Sequence, residues 1–293
     1  MKCLFKGSAV ALITPFKKGA IDFESFGKLI DFQLKAGTDA IVVLGTTGEP
    51  ATINDIDKRE IIEFAKERIN GKAKLIVGTG ANSTRKAVEN SVMASNSGAD
   101  GLLVVTPYYN KCTNTGLYEH YKTIADSVKM PIIVYNVPGR TGVNITPTMA
   151  LKLADIPQVV GIKEASGNIS QIVELANVLE GKMALYSGDD ALNYLFMCLG
   201  AQGAISVTAN VLPQKVKQVL DFCLDKKYEK ARLIYNDLLE INKAMFVEVN
   251  PIPVKYACHL LGLCSGEIRL PLTHPEEEHK QTIKKALSKF YDL

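Results

Sequence analysis

A lysine that ends an apolar run is the residue best suited to chemistry in this chain. Lys163 follows Val159-Val160-Gly161-Ile162, whereas most other lysines sit in polar company, as in Lys226-Lys227 and Lys284-Lys285. Burial penalises an ammonium and lowers its pKa, and an amine that is partly neutral near pH 7 attacks carbonyls to form imines. Position alone leaves two roles open: a Schiff-base nucleophile, or a structural cation paired with Glu164 or with an aspartate at the rim. Tyr135 also ends an apolar run. Its phenol can shuttle protons if a partner holds the hydroxyl, and Thr46 is the candidate partner; a core tyrosine with a satisfied hydroxyl is the plainer reading. Arg140 lies in the turn Gly139-Arg140-Thr141-Gly142, where a guanidinium either clamps a carboxylate bidentately or faces water. Tyr108-Tyr109 is a loop pair suited to packing or to an interface. His120, His259, His274 and His279 fall neither at run ends nor at metal-ligand spacing, so no histidine-based metal or acid–base site is expected.

Eight short runs rich in Val and Ile would position these residues: 9–14, 40–45, 74–80, 101–106, 132–136, 159–163, 184–188 and 203–208. They are apolar on successive residues, which is the pattern of strands buried on both faces. Segments of helical period lie between them. In 57–69, Ile61, Ile62, Ala65 and Ile69 share one face while Lys58, Arg59, Glu63 and Lys66 take the other. Strict alternation predicts a parallel sheet, and eight units predict a closed (β/α)8 barrel with its active residues at the C-terminal strand ends. An open doubly wound sheet would more often carry a glycine-rich phosphate loop after its first strand, and Ala11-Leu12-Ile13-Thr14-Pro15-Phe16 is not one. The run ends are rich in hydroxyls and small residues, as in Gly45-Thr46-Thr47-Gly48-Glu49, Ser187-Gly188-Asp189-Asp190 and Ile205-Ser206-Val207-Thr208. The sequence assigns no role to Asp189 and Asp190. About 85 residues follow the eighth run, more than one barrel helix needs. The segment 216–223 would complete the barrel, and 228–246, 254–261 and the stretch after Pro275 would form a helical extension. The expected division is a catalytic barrel over 1–224 and a helical region over 225–293 packed on it.

Composition narrows the class. Apolar residues make up 47% and charged residues 22% of 293, the balance of a globular protein with a sizeable core. A net charge of +3 without a basic block argues against nucleic acid as a partner. Six scattered cysteines without a C-x-x-C pair argue against a disulfide framework or zinc site and fit a reducing, cytoplasmic setting. No apolar stretch approaches a membrane span, and the short run before Pro15 does not read as a signal peptide.

Taken together, five motifs in order resemble the pyruvate-dependent class I aldolase family over essentially the whole chain. They are Gly45-Thr46-Thr47-Gly48-Glu49, Thr106-Pro107-Tyr108-Tyr109-Asn110, Tyr135-Asn136-Val137-Pro138-x-Arg140-Thr141-Gly142, Gly161-Ile162-Lys163-Glu164 and Asn250-Pro251-Ile252-Pro253-Val254-Lys255. The resemblance implies that Lys163 forms an imine with pyruvate and that Tyr135 transfers protons. Thr46 would link Tyr135 to Tyr109, contributed by a neighbouring subunit. Thr47 and the Ile205 backbone would hold the pyruvate carboxylate. Arg140 would bind the carboxylate of a second substrate, L-aspartate 4-semialdehyde, with Gly188 lining its path. No metal or organic cofactor is implied, since the imine is the electron sink. A homo-oligomer is implied, at least a tight dimer and usually a tetramer. Family members that cleave N-acetylneuraminate or 2-keto-3-deoxy sugar acids tend to differ at the positions of Thr47 and Arg140. A non-catalytic 2-oxo acid sensor would be expected to lose the lysine or the tyrosine. Many members are inhibited by lysine at an interface site onto which Ala51, Asn82 and Tyr108 map. There Asp55 and Lys58 stand for histidines, and Lys86 for the glutamate that receives the ligand's ammonium. A cation facing a cation implies weak or absent inhibition.

Overall fold

The computed structural model describes residues 2–293. Eight parallel strands close into a barrel: β1 (Gly7–Ala11), β2 (Ala40–Val43), β3 (Lys74–Gly78), β4 (Gly101–Val105), β5 (Ile132–Asn136), β6 (Val159–Glu164), β7 (Ala184–Ser187) and β8 (Gly203–Ser206). Successive residues point to opposite faces, so each doubly apolar run feeds two cores at once. Ala9, Val42, Ile76, Leu103, Ile133 and Ile205 fill the barrel. Val10, Ile41, Val77, Val104, Val134 and Ile162 pack outward against helices. Closure brings β1 against β8 with Gly7 opposite Gly203, and a Cβ at residue 203 would stand 2.1 Å from the Gly7 carbonyl oxygen. Glycine is required there by contact alone.

Helices follow the strands: α1 (Phe23–Lys35), α2 (Asp55–Ile69), α3 (Thr84–Asn96), α4 (Asn114–Ser127), α5 (Pro147–Ala154), α6 (Ile169–Val178), α7 (Asn193–Cys198) and α8 (Pro213–Leu224). The first six start at Asp22, Asn54, Ser83, Thr113, Thr146 and Asn168, whose side chains each accept a backbone N–H of the first turn. The expected barrel is therefore present, with most strands ending before the apolar runs do. The run 9–14 leaves the ladder after Ala11 because Leu12 and Ile13 turn into the core, and the Thr14 hydroxyl donates to the Gly48 carbonyl. A two-stranded ribbon, Phe16–Lys17 with Ala20–Ile21, follows it and was not expected from the pattern.

Beyond the barrel lie α9 (Tyr228–Ala244), α10 (Ile252–Leu260) and α11 (Glu277–Leu287). Helix α9 packs on α8, and α11 packs on both α9 and α10. The firmest tie from this region to the barrel is ionic. Lys255 of α10 is 1% exposed, and its ammonium lies 2.5 Å from a Glu49 carboxylate oxygen in the loop after β2. The same nitrogen sits 3.9 Å from the centre of the Phe16 ring, whose face also carries the Arg269 guanidinium at 4.1 Å. The Arg269 backbone N–H donates to the other Glu49 oxygen at 3.2 Å. Two opposite charges buried together are costly to separate, because removing one strands the other without water. Lys255→Ala is expected to lower unfolding free energy by about 3–5 kcal/mol, read from the midpoint of a urea transition. A loss below about 1 kcal/mol would mean that the pair is not the tie described.

Candidate active site

Strand register decides which side chains meet. In the parallel pairing of β5 with β6, Tyr135 stands opposite Lys163 and Asn136 opposite Glu164. Lys163 and Tyr135 point into the barrel, and the alternate residues point out. The Lys163 ammonium lies 4.3 Å from the centre of the Tyr135 ring, while Asn136 donates to Glu164 at 2.8 Å on the far side of the sheet. Gln171 and the Ser166 backbone N–H also donate to Glu164. The pairing of Lys163 with Glu164 considered from the sequence is thus not formed, since adjacent strand residues face apart.

Lys163 is 5% exposed. Burial lowers its pKa to about 8, opposed by the negative charge of Asp190 and reinforced by the positive charge of Arg140. Burial likewise pushes Tyr135 up to about 12, against the Arg140 charge and the Thr46 hydroxyl, both of which favour the phenolate. Gly188 gives the lysine stem its space: a Cβ there would meet Lys163 Cε at 2.9 Å.

Tyr135 and Thr46 line a cavity of about 540 Å³ at the C-terminal mouth, together with Arg140, Asn250, Tyr108, Ala51, Lys58 and Lys86. Leu44 and Glu49 bracket the threonine turn with φ of +55° and +54°. Such left-handed non-glycine residues cost about 1–3 kcal/mol each, and they recur where a loop must present particular groups. Thr47 is buried, and the Asn250 side-chain amide donates to its hydroxyl at 2.9 Å. The Arg140 guanidinium donates to the Asn250 backbone carbonyl at 2.9 Å. Asn250 therefore joins the two residues expected to grip carboxylates, and its own Oδ1 is buried without a partner. Ile205 lies buried within the barrel on β8.

Tyr109 is not brought to this site by its own chain. It is 91% exposed with φ of +70°, at the rim of the loop after β4. Asn82 accepts an amide N–H from Asn110 through its backbone carbonyl and does not line the cavity. Lys86 lines it but is not an isolated cation: its ammonium is 2.6 Å from Asp55, which Lys58 also approaches at 3.7 Å. Asp55 holds the Lys86 pKa above the ordinary lysine value. His120 lies on the buried face of α4 with its Nδ1 2.9 Å from the Thr84 hydroxyl, and burial lowers its pKa to about 4. It is a core residue that does not line the cavity.

Sequence reasoning passed over three contributors: the Glu49–Lys255 pair, the Asn250 bridge and Asp190. The first two lay inside recognised motifs, but their partners are about 200 residues away and no spacing could reveal the contacts.

A pKa near 8 leaves about a tenth of Lys163 neutral at pH 7, against a few in ten thousand for an ordinary lysine. The free amine appears as pH rises through that value. Competitive amine labelling with peptide mass mapping is expected to place the Lys163 midpoint near pH 8 and those of exposed lysines well above it. A Lys163 midpoint above 10 would show an unperturbed lysine.

Known proteins agree with this geometry. The sequence model of the Dihydrodipicolinate synthetase family matches residues 4–290. A 4-hydroxy-tetrahydrodipicolinate synthase of Caldicellulosiruptor bescii is 50% identical over 285 residues, 97% of this chain and 96% of its own. The crystal structure of dihydrodipicolinate synthase from Aquifex aeolicus superposes with a TM-score of 0.95 at 47% identity, covering 98% of each chain. The chloride-inhibited dihydrodipicolinate synthase of Acinetobacter baumannii, solved in complex with pyruvate, gives 0.95 at 44% identity over 97% of this chain and 98% of that one. With a matching family model, relatives alike over nearly their full length and the same closed barrel, the chain belongs to the dihydrodipicolinate synthetase family.

Proposed function

We propose that this chain condenses pyruvate with L-aspartate 4-semialdehyde to give 4-hydroxy-tetrahydrodipicolinate, the entry step of the diaminopimelate route to lysine. The observation that carries the reading is the buried, pKa-lowered amine of Lys163 set against Tyr135 at the mouth of the barrel. The neutral amine adds to the pyruvate carbonyl, and loss of water leaves a protonated imine. The imine draws electrons from the methyl group, which releases a proton to give the enamine. The enamine carbon attacks the semialdehyde carbon. The substrate amine then closes on the imine carbon and expels Lys163. Tyr135 relays protons at the imine and aldehyde stages, held by Thr46, and Tyr109 of a second copy completes the relay. Exposure of Tyr109 supports that role, and with it a homodimer at least, in the usual arrangement a tetramer. Thr47 and the Ile205 backbone bind the pyruvate carboxylate. Arg140 binds the semialdehyde carboxylate, and Gly188 lines its path.

The division into a barrel (1–224) and a helical region (225–293) follows the same reading, with Asn250 and Lys255 of the latter serving the threonine loop. Free cysteines throughout the chain support a cytoplasmic setting. The possible effector site at Ala51, Asn82, Tyr108 and Lys86 is a poor receptor for lysine. The Lys86–Asp55 pair puts an ammonium where the ligand's own ammonium would need an anion.

Three measurements test these assignments. Borohydride reduction in the presence of pyruvate is expected to place a stable adduct on Lys163. Addition of the semialdehyde to enzyme and pyruvate should yield the cyclic product, with a loss of about 10²–10⁴-fold in kcat for Tyr135→Phe. An adduct elsewhere, or efficient cleavage of a sugar acid with no product from the semialdehyde, would overturn the assignment. Lysine titration of the activity is expected to show weak or no inhibition; half-inhibition at submillimolar lysine would contradict the effector-site reading.

A further inference from the structure

We propose that Glu164 is a positioning residue of the catalytic pair: from the outer face of the sheet it clamps β6 to β5 in the register that sets Lys163 beside Tyr135. The proposal rests on the imine reading above and concerns residues to which that reading gives no part.

The register needs a clamp because β6 is bulged. Ile132 of β5 stands opposite Val159, but Ile133 stands opposite Gly161, so Val160 is an extra residue with no opposite number on β5. Val159 and Ile162 consequently both pack outward, although residues three apart in a regular strand face opposite ways. Continued without the bulge, the pairing would put Tyr135 opposite Ile162 and turn Lys163 out of the barrel. Beside the bulge the register is held by exclusion. A Cβ at Gly161 would meet the Tyr186 ring at 2.8 Å and the Ala184 carbonyl oxygen at 3.1 Å, so neither Val160 nor Ile162 can take that place. At the C-terminal end of β6 it is held by hydrogen bonds.

Glu164 and Asn136 are fully buried, each one residue past a member of the catalytic pair and facing away from it. One Glu164 carboxylate oxygen accepts the Asn136 side-chain amide at 2.8 Å and the Gln171 amide at 3.3 Å. The other accepts the Ser166 backbone N–H at 2.6 Å. Asn136 gives its second amide hydrogen to the Asn144 Oδ1 at 2.8 Å and accepts the Ile145 N–H at 2.8 Å. Asn144 and Gln171 close the network by donating to each other, at 2.7 and 3.1 Å. The ends of β5 and β6 are thus tied to the loop before α5 and to the first turn of α6. On the other side of β6, the Glu164 carbonyl accepts the N–H of Gly188, the glycine that makes room for the Lys163 stem. A change of register would strand these buried donors, each at the cost of its lost hydration.

Glu164→Gln breaks the clamp at nearly constant volume. Three N–H groups meet the carboxylate and the substitute has one oxygen, so at least one donor then faces an amide. Well below its melting temperature, the variant is expected to trap pyruvate on Lys163 with borohydride about tenfold more slowly or worse, since displacement by an ångström can cost about 10²-fold. A purely structural role would lower the melting temperature and leave that rate alone. Adding Asn136→Asp reverses donor and acceptor at unchanged net charge: the carboxylate introduced at 136 accepts from the amide introduced at 164 and still accepts the Ile145 N–H. The double variant Asn136→Asp/Glu164→Gln is expected to recover most of the trapping rate. Asn136→Asp alone sets two carboxyl groups face to face and should be slow. Where Glu164→Gln does not fold, Asn136→Ala takes its place, because it removes the cross-strand bond and leaves Glu164 with Ser166 and Gln171.

Trapping at the wild-type rate in whichever of these single variants folds would overturn the proposal, as would a folded double variant no faster than Glu164→Gln. Failure of every variant to fold would make Glu164 a residue of the fold and not of the site, and would overturn it too. A wild-type chain that forms no Lys163 adduct is a separate result, which needs no substitution to appear and overturns the imine reading itself.

Discussion

Burial of an amine is the constraint on which the rest of this structure depends. An ammonium taken out of water loses several kcal/mol of solvation, and the protein recovers this by letting the proton leave more easily. Closing eight strands into a barrel gives such a place, dry at its centre and open at one end. Lys163 occupies the last inward position of β6, with apolar layers below it and the mouth above. Its company is equally constrained. The register of β5 against β6 sets Tyr135 beside it and sends Glu164 to the other face, so the neighbouring carboxylate cannot quench the amine as an ion pair. A one-residue slip would exchange the two and leave a carboxylate in the mouth.

Around that amine the site is built by fixing loops rather than by adding reactive groups. The threonine turn after β2 is held between two left-handed residues and tied from the far end of the chain by Lys255 and Asn250. The helical region beyond the barrel is therefore part of the site's geometry as well as its cover. A loop held by buried charge and by side-chain amides presents its hydroxyls in one arrangement. Proton relays need that, because transfer depends on hydrogen-bond reach.

The exposed rim of the site follows a different logic. Tyr109 is a large aromatic residue, nearly fully exposed and strained at φ of +70°, features that suit a contact with another copy better than a free loop. Nearby, Lys86 and Lys58 converge on Asp55, and Glu89 also approaches Lys86. The charges that the sequence presents singly form one cluster here, in which the Asp55 carboxylate is already paired.

The sequence by itself determined the barrel and marked Lys163 as the residue best placed for chemistry. Doubly apolar runs alternating with capped amphipathic helices admit few folds, and a lysine at the end of one run has few ordinary explanations. It also put the candidate residues on one face, because strand ends converge in any closed parallel barrel, and five motifs in order carried the resemblance that implied a chemistry. Only the tertiary structure decided how those residues are held. Which oxygen faces Asn250, and that Glu49 meets Lys255, both depend on contacts between segments far apart in the chain. Periodicity reports the direction a side chain points within its own element. It carries nothing about the distance to a partner in another, and distance is what sets hydrogen bonds, ion pairs and the pKa of a buried amine.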